Sequence, residues 1–215
     1  MKAIFFDFDG TIFDSAPYWE KVLQDSFTER NIPSPGNIFS RTKTLGVARA
    51  SEWFVREFSP DENPDNIARD WREKMAENYT SIIPLKMNVG SFLRPLRQQG
   101  IISCLATAMD RYYVLKALER ENIADAFDYI ITTPELNCDK RGPDIYLHCA
   151  DRYSLEPGDC MVLEDALEAA LACKGAGFHV TGIYDGVGEE EFEKIKEVCD
   201  YSFVEFPESL EYLNL

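Results

Sequence analysis

The start of the chain constrains its fold more than any other segment, because an apolar stretch runs directly into two aspartates. Residues 3–6 are apolar, and residues 7–11, which read Asp-Phe-Asp-Gly-Thr, follow at once. A continuous apolar run of this kind is typical of a buried parallel strand. Open α/β sheets place their ligand sites at the carboxyl ends of the strands, so we expect the two aspartates at such a site.

Asp7 and Asp9 are expected to point to the same side of this strand, because side chains alternate between the two faces. Two carboxylates that share a small site repel each other unless one is protonated or a cation binds between them. The pair therefore suggests a Mg²⁺ site with a nucleophile beside an acid. The simpler interpretation is a turn, in which aspartate, glycine and threonine are also common.

The chain carries a large negative charge for its size. Its 215 residues include 38 Asp and Glu against 22 Lys and Arg, which gives a formal net charge of −16. Binding to nucleic acid or to an anionic membrane surface rests on Lys and Arg contacts, so we expect neither as a partner. An anionic substrate would need a local positive site to bind against this overall charge.

The six cysteines are scattered along the chain and show no pair with the spacing of a zinc site. The first strand begins next to Met1 with no sign of a secretory signal, and no apolar run is long enough to span a bilayer. We therefore expect a cytoplasmic protein with free thiols. The sequence leaves open whether it is a monomer or a homodimer.

Two patterns of secondary structure divide the chain. Residues 16–83 show helical spacing with little strand character, whereas residues from 87 onward alternate between strands and helices. Such alternation is typical of a parallel sheet covered by helices. We therefore predict an α/β, Rossmann-like core formed by residues 1–14 and 86–215, with an inserted α-helical domain over residues 15–85.

Four short polar segments lie where strands of the predicted core end or helices begin, and a single sheet would bring them to one edge. They are residues 7–11; Thr107 and Ala108; Lys140; and Glu164 and Asp165. Their carboxylates, hydroxyl and ammonium group suit phosphoryl transfer, which needs a nucleophile and neutralisation of charge. Each one alone has a simpler interpretation, since a loop lysine is usually solvated and an aspartate often caps a helix.

The same segments, in the same order, resemble the motifs of the haloacid dehalogenase (HAD) superfamily. The resemblance covers essentially the whole chain and is closest to the β-phosphoglucomutase and phosphoglycolate phosphatase-like members, which carry a helical cap after the first motif. It implies a HAD fold, Mg²⁺ as cofactor and a small phosphate ester as substrate. The chain departs from the usual pattern at Arg141, where proline is common, and at Ala166, where serine is frequent.

The resemblance also implies a role for each acidic residue. Asp7 would be the nucleophile that becomes an aspartyl phosphate, and Asp9 would protonate the leaving alcohol and later activate water. The metal ligands would be Asp7, the backbone carbonyl of Asp9, and Asp165, with Glu164 in or beside the ligand set. Glu168 is an alternative to Glu164 as a further metal contact. Hard oxygen ligands of this kind suit Mg²⁺ better than zinc.

Three other residues would bind the phosphoryl group if the resemblance holds. The Thr107 hydroxyl and the Ala108 amide would hold phosphoryl oxygens, and Lys140 would neutralise charge on the nucleophile and the phosphate. Arg49 lies in a Gly-Val-Ala-Arg segment similar to one in β-phosphoglucomutases, where the arginine holds a second phosphate. A planar guanidinium suits that task, although Arg49 is equally well explained as a surface residue of a helix.

The predicted reaction is hydrolysis. Trp19 stands near the position of a histidine that the mutases carry in their cap, and an indole cannot move a proton as an imidazole does. We therefore predict a Mg²⁺-dependent phosphatase that hydrolyses a small organic phosphate monoester. The alternatives are a β-phosphoglucomutase-like sugar phosphate mutase and a non-catalytic binding or regulatory protein on the same fold.

Overall fold

A computed structural model describes residues 1–36, 38–208, 210 and 211 of the chain. The strands within these residues are β1 (Ala3–Phe6), β2 (Ile102–Thr107), β3 (Tyr129–Thr132), β4 (Cys160–Glu164), β5 (His179–Ile183) and β6 (Tyr201–Phe203). They form one sheet in the order β3-β2-β1-β4-β5-β6, and all neighbouring strands are parallel.

Strand β1 lies inside the sheet and is buried on both faces. Ile4 and Phe6 point into one apolar cluster, whereas Ala3 and Phe5 point into a second cluster on the other face. The chain places β2 and β3 on one side of β1, and β4, β5 and β6 on the other. The strand order therefore reverses beside β1, which is where open α/β sheets form a ligand crevice at the carboxyl ends of their strands.

The helices either precede β2 as one group or alternate with the later strands. They are α1 (Ala16–Glu29), α2 (Ile38–Thr42), α3 (Gly46–Phe58), α4 (Pro64–Glu77), α5 (Val89–Gln98), α6 (Arg111–Arg120), α7 (Thr133–Leu136), α8 (Asp144–Arg152), α9 (Leu167–Gly175) and α10 (Glu189–Val198). Helices α1 to α4 and a π-helical turn at Asn78–Ile82 lie between β1 and β2. We call residues 16–82 the helical insert.

The helical insert has an aromatic core of its own. The Phe54 ring lies 5.0 Å from that of Phe27 and 5.7 Å from that of Trp71, measured between centroids. These three side chains come from α3, α1 and α4, and all are buried. Because large aromatic side chains bury much apolar surface, they hold the three helices together.

The chain enters and leaves the helical insert at adjacent points. The Asp14 amide donates to the Pro84 carbonyl at 3.0 Å, and Phe13 forms an antiparallel bridge with Leu85. The two connections to the sheet therefore run side by side. The domain boundaries at residues 14 and 86 stay a prediction.

The structure confirms the predicted α/β fold, with a parallel sheet and a helical insertion after the first strand. The spacing of apolar residues predicts one helix over about residues 64–81, but α4 ends at Glu77, because the chain passes there into the π-helical turn. The short helix α2 was not predicted, since it follows a Pro- and Gly-rich segment. The sequence also predicts a last helix near residues 207–213, a segment that lies partly outside the described residues.

Two predictions about composition can also be compared with the structure. All six cysteines are free thiols, as predicted. Over the described part of the chain, no helix has the length and apolar character needed to cross a membrane.

Candidate active site

The carboxyl ends of β1, β2 and β4 open into one cavity. Its wall is formed by Asp7, Asp9, Lys43, Thr44, Thr107, Ala108, Lys140, Glu164, Asp165 and Ala166. We call it the polar cavity. Of the residues that the sequence analysis assigned to the site, all except Arg49 and the alternative metal contact Glu168 line this cavity.

The turn after β1 places the first two aspartates. The Asp7 amide donates to the Leu163 carbonyl at 3.0 Å and so extends the pairing of β1 with β4. The chain then turns at Gly10, whose φ of +74° is one that glycine adopts without strain. A Cβ atom at Gly10 would lie 2.6 Å from Asp165 Oδ2, so the turn also requires a residue with no side chain.

Asp7, Glu164 and Asp165 form an acid cluster in which one carboxylate oxygen from each lies within 4.8 Å of the others. All three are buried. Burial raises the pKa of Asp7, against the opposing effect of Lys140, because a buried carboxylate loses hydration. Burial likewise raises the pKa of Asp165, to about 6. Three closely spaced oxygen donors of this kind fit a hard divalent cation such as Mg²⁺.

Lys140 neutralises two members of the acid cluster. Its ammonium group contacts the carboxylates of Asp7 and Glu164, and its side chain is 3% exposed. Burial lowers the pKa of Lys140, but the two carboxylates outweigh this effect and raise it overall. The Lys140 amide donates to the Thr44 carbonyl at 3.0 Å, so the loop that carries Lys140 is tied to the helical insert.

Glu164 is held in one orientation by neighbouring donors. The Tyr146 hydroxyl donates to one of its oxygens at 2.8 Å. The backbone amides of Asp165 and Ala166 donate to the other oxygen at 3.0 and 3.1 Å. The alternative residue, Glu168, accepts a hydrogen bond from the helical insert and is not a member of the acid cluster.

The Asp9 side chain faces the helical insert rather than the acid cluster. Its Oδ1 atom accepts a hydrogen bond from Ser15 Oγ at 2.6 Å and another from the Tyr79 hydroxyl. That hydroxyl in turn accepts a hydrogen bond from Trp19 Nε1 at 2.6 Å. Burial raises the pKa of Asp9, while the bonds from Ser15 and Tyr79 oppose the rise.

The sequence analysis did not assign Ser15 or Tyr79 to the site. Tyr79 belongs to a stripe of apolar and aromatic residues at helical spacing, which predicts packing in a helical core. Its ring is indeed buried, but its hydroxyl reaches Asp9. Tyr79 lies in a π-helical turn, and such turns are frequent at functional sites. The sequence gives no signal for this turn, so the role of Tyr79 could not be read from it.

Thr107 is the last residue of β2 and Ala108 follows it, so both reach the polar cavity from the side opposite β4. Thr107 is buried, and its Oγ1 atom accepts a hydrogen bond from the Met109 amide at 3.0 Å. This bond uses a lone pair of the hydroxyl oxygen and leaves its proton available for donation. Thr107 can therefore donate to an oxygen atom in the cavity.

Lys43 brings a second ammonium group into the polar cavity. Its Nζ atom lies 3.0 Å from Asp165 Oδ2, 3.1 Å from Asp185 Oδ2 and 3.3 Å from Glu191 Oε2. Burial lowers the pKa of Lys43, but these carboxylates raise it overall. The sequence shows Lys43 only as one of several basic residues in the helical insert, which usually indicates a solvated surface.

The structure places Arg49 apart from the acid cluster. Its guanidinium group contacts the carboxylate of Asp139. It lines a different cavity, which also includes Arg72 and Asp110 and which we call the Arg49 cavity. Arg72 Nε pairs there with Asp110 Oδ2 at 2.6 Å, so both arginines of this cavity have carboxylate partners.

Comparisons with known proteins place this geometry in context. A family model described as haloacid dehalogenase-like hydrolase matches residues 1–177. Hexitol phosphatase B of Escherichia coli K12 is 27% identical over 180 residues, which are 81% of this chain and 79% of that protein. The β-phosphoglucomutase of Bacillus subtilis is 28% identical over 193 residues, 86% of this chain and 84% of that protein.

A solved structure shows the same fold. The crystal structure of a hydrolase from Pseudomonas syringae has a TM-score of 0.83 at 19% identity and covers 99% of this chain and 97% of that one. The family match is broader evidence of relationship, because residues 1–177 contain Asp7, Thr107, Lys140 and Asp165. The resemblance predicted from the motifs is thus confirmed, and the chain belongs to the haloacid dehalogenase-like hydrolase family.

Proposed function

We propose that the chain is a Mg²⁺-dependent phosphatase that hydrolyses a small organic phosphate monoester through an aspartyl phosphate on Asp7. One observation carries the proposal. Asp7 lies in the acid cluster next to Lys140, while Asp9, two residues later, faces the helical insert. A nucleophile and a proton donor are therefore available on two sides of a phosphoryl group in the polar cavity.

The two aspartates would divide the reaction between them. In the first step an Asp7 oxygen attacks phosphorus, the bond from phosphorus to the ester oxygen breaks, and Asp9 gives that oxygen its proton. In the second step Asp9 takes a proton from water, the water oxygen attacks phosphorus, and phosphate leaves Asp7. A carboxylate nucleophile splits hydrolysis into two easier displacements, and an alkoxide leaving group needs the proton.

Three neighbours would hold the phosphoryl oxygens. Lys140 contacts Asp7 and would neutralise charge on both the nucleophile and the phosphoryl group. The Thr107 hydroxyl has a proton to donate, and the Ala108 backbone lies beside it in the same cavity. Fixed donors around a transferring phosphoryl group stabilise the charge that develops there.

The charges of the polar cavity support the proposal of a bound cation. Four carboxylates and two ammonium groups line it, so a phosphate ester would enter a net negative environment. We propose Asp7, Asp165 and the backbone carbonyl of Asp9 as ligands of Mg²⁺, with Glu164 beside them. Bound Mg²⁺ would neutralise negative charge on the phosphoryl oxygens.

Residues 15–85 would act as a cap domain over a core formed by residues 1–14 and 86–215. Asp9 receives its hydrogen bonds from Ser15 and Tyr79, at the two ends of this segment. Closure of the cap would therefore complete the environment of Asp9 and exclude bulk water. We place this reaction in the cytoplasm, with a small phosphate ester as partner rather than nucleic acid or a membrane.

A mutase is the second candidate, because one relative is a β-phosphoglucomutase. Hydrolysis is favoured by two contacts of the helical insert. Arg49 contacts Asp139 and does not line the polar cavity. Trp19 donates to Tyr79 next to Asp9, where it cannot accept or deliver a proton. The presence of both Asp7 and Asp9 argues against a non-catalytic binding protein.

The test is release of inorganic phosphate from p-nitrophenyl phosphate in Mg²⁺ and in EDTA. We expect release that requires Mg²⁺ and that falls at least about a thousandfold in Asp7→Asn, as expected for a lost nucleophile. Asp61→Asn, in an exposed loop, is the matched control and should retain activity. Thermal melting must show that both variants are folded. Metal-independent release, or full activity in Asp7→Asn, would overturn the proposal.

A further inference from the structure

We infer that the organic part of the substrate is compact and apolar, and that it binds in a second cavity, beyond Asp9, between the helical insert and the sheet edge. This inference rests on the proposed phosphatase function and names its substrate class. We call the second cavity the apolar cavity. Its wall includes Trp19, Leu23, Phe39, Val47, Ala50 and Trp71.

The apolar cavity is continuous with the site of the proposed reaction. Asp9, Lys43 and Ala108 line both the polar and the apolar cavity. With the phosphoryl group beside Asp7, the ester oxygen would lie near Asp9, and the carbon chain would extend into the apolar cavity. The same aspartate that would protonate the leaving alcohol therefore stands at the entrance to the space for that alcohol.

The apolar cavity is small. The space in it that is open to water-sized molecules is about 40 Å³. A short carbon chain matches this space better than a bulky group.

The two indoles on the wall have no free donor for a substrate hydroxyl. Trp19 Nε1 donates to the Tyr79 hydroxyl, and Trp71 Nε1 donates to Ser26 Oγ, each at 2.6 Å. An indole has one N–H donor and no acceptor. Both rings therefore offer a ligand only their apolar surface.

Apart from Asp9, the other polar side chains on this wall, among the residues that the structure describes, are Thr42 and Lys43, and both already make polar contacts. Thr42 Oγ1 donates to the carbonyl of Ile38 at 3.0 Å, within its own helix. The Lys43 ammonium group is bound by the carboxylates of Asp165 and Asp185. A sugar or polyol would have to bury hydroxyl groups with few partners, which disfavours binding.

The Arg49 cavity is the alternative location for a polar substrate. It is lined by Arg49, Arg72 and Asp110, but Asp9 and the acid cluster do not line it. A second anionic group placed there would compete with the carboxylates that already contact the two arginines. The charges and contacts therefore favour the apolar cavity for the organic part of the ester.

The first experiment compares two esters with leaving alcohols of equal size. Pentyl phosphate and glycerol 3-phosphate each carry an alcohol of six non-hydrogen atoms, and only the second carries free hydroxyl groups. We expect kcat/KM for pentyl phosphate to be higher by at least about tenfold, since an apolar site binds hydroxyl groups poorly. Equal values, or a preference for glycerol 3-phosphate, would overturn the inference.

A variant tests where this preference arises. Ala50 lines the apolar cavity, and Ala50→Ser adds a hydroxyl group there. We expect this variant to lower the ratio of kcat/KM for pentyl phosphate to kcat/KM for glycerol 3-phosphate by about fivefold, which corresponds to the free energy of one hydrogen bond. Ala68→Ser is the matched control, because Ala68 is buried in α4 away from this wall and should leave the ratio unchanged. An unchanged ratio in Ala50→Ser would place the organic group elsewhere.

Binding of non-hydrolysable analogues separates this inference from the proposed reaction. If neither ester is hydrolysed, the phosphatase proposal fails, and calorimetry with pentylphosphonate and 2,3-dihydroxypropylphosphonate still decides the inference. Tighter binding of pentylphosphonate, weakened in Ala50→Ser but not in Ala68→Ser, supports an apolar site. Equal binding, or tighter binding of the dihydroxy compound, would overturn it.

Discussion

The polar and apolar cavities meet at Asp9 but are built by different physical means. In the polar cavity almost every side chain has a defined partner, such as Lys140 on Asp7 and Tyr146 on Glu164. The apolar cavity is the space left where helices of the insert pack near the sheet edge. Hydrogen bonds and ion pairs fix direction, whereas apolar packing fixes only shape and volume.

Because of this difference, we expect the polar cavity to determine the rate of the reaction and the apolar cavity to determine which ester is accepted. A change in the polar cavity removes a specific partner and leaves a buried charge or donor without compensation. A change of similar size in the apolar cavity alters volume, which neighbouring side chains can absorb in part. Substitutions at the sheet edge are therefore expected to reduce the rate of the proposed reaction strongly. Substitutions in the helical insert are expected to change which ester is preferred.

The largest expected effect concerns Asp9, where the two cavities meet. We expect Asp9→Asn to lower kcat/KM for pentyl phosphate by about 10² to 10⁴, the usual contribution of a proton donor. The loss for p-nitrophenyl phosphate should be much smaller, because p-nitrophenolate leaves without a proton. Phosphate release with both esters measures the two ratios. Equal losses would show that Asp9 acts by orienting the site rather than by protonating the alcohol.

The next largest effect concerns Lys43, which lines both cavities. Lys43→Met leaves Asp165, Asp185 and Glu191 without their shared ammonium group. Breaking a buried ion pair in this way should lower the free energy of unfolding by about 3–5 kcal/mol, measured by urea denaturation. Lys21→Met is the control, because this side chain is 74% exposed and its variant should unfold at nearly the same urea concentration. If Lys43→Met unfolded at the same urea concentration as the wild type, the Lys43 charge would not contribute to stability.

A smaller effect is expected from the hydroxyl group of Tyr79. Tyr79→Phe leaves the Trp19 indole N–H without its acceptor and removes one of the donors to Asp9. An unsatisfied buried group costs about 1–3 kcal/mol, which urea denaturation should detect. Tyr112→Phe, at a ring that is 63% exposed, should have no measurable effect. Equal stabilities would mean that water replaces the lost hydroxyl.

The smallest effect is expected from Arg49. Arg49→Ala should change kcat/KM for pentyl phosphate by less than about twofold, because substitutions away from buried networks have small effects. For an ester with a second anionic group, kcat/KM should fall further in Arg49→Ala if that group binds in the Arg49 cavity. Arg56→Ala, on the same helix and 68% exposed, is the control. A large loss of kcat/KM for pentyl phosphate in Arg49→Ala would contradict the assignment of the organic group to the apolar cavity, because it would place an uncharged chain beside Arg49.

Most of the sheet edge could be predicted from the sequence. Asp7, Lys140 and Asp165 lie at the ends of apolar strands or before the starts of helices, which a single parallel sheet brings to one edge. The parallel sheet also follows from alternating strand and helix patterns. Local sequence is enough in these cases because strand register and helix periodicity determine which residues meet.

The contribution of the helical insert could not be predicted in the same way. Tyr79 and Lys43 reach the site only because the insert folds back over the sheet, a placement that helical periodicity does not encode. Tyr79 is an aromatic residue in an apolar stripe, and Lys43 is one of several basic residues in the helical insert. Such patterns are more often explained by packing and solvation. The roles of the individual site residues, Arg49 included, stay predictions until the variants are measured.

The side-by-side connections of the helical insert bear on how fast the sheet can form. Ala3 of β1 pairs with Ile102 of β2, so this contact joins positions about a hundred residues apart. If the bridge between Phe13 and Leu85 forms first, the effective loop shrinks to roughly thirty residues, which lowers the entropic cost of closing it by about 1 kcal/mol. The contact between Phe13 and Leu85 at the base of the insertion thus carries the entropic cost of the long segment, and the pairing of β1 with β2 then closes only a short loop.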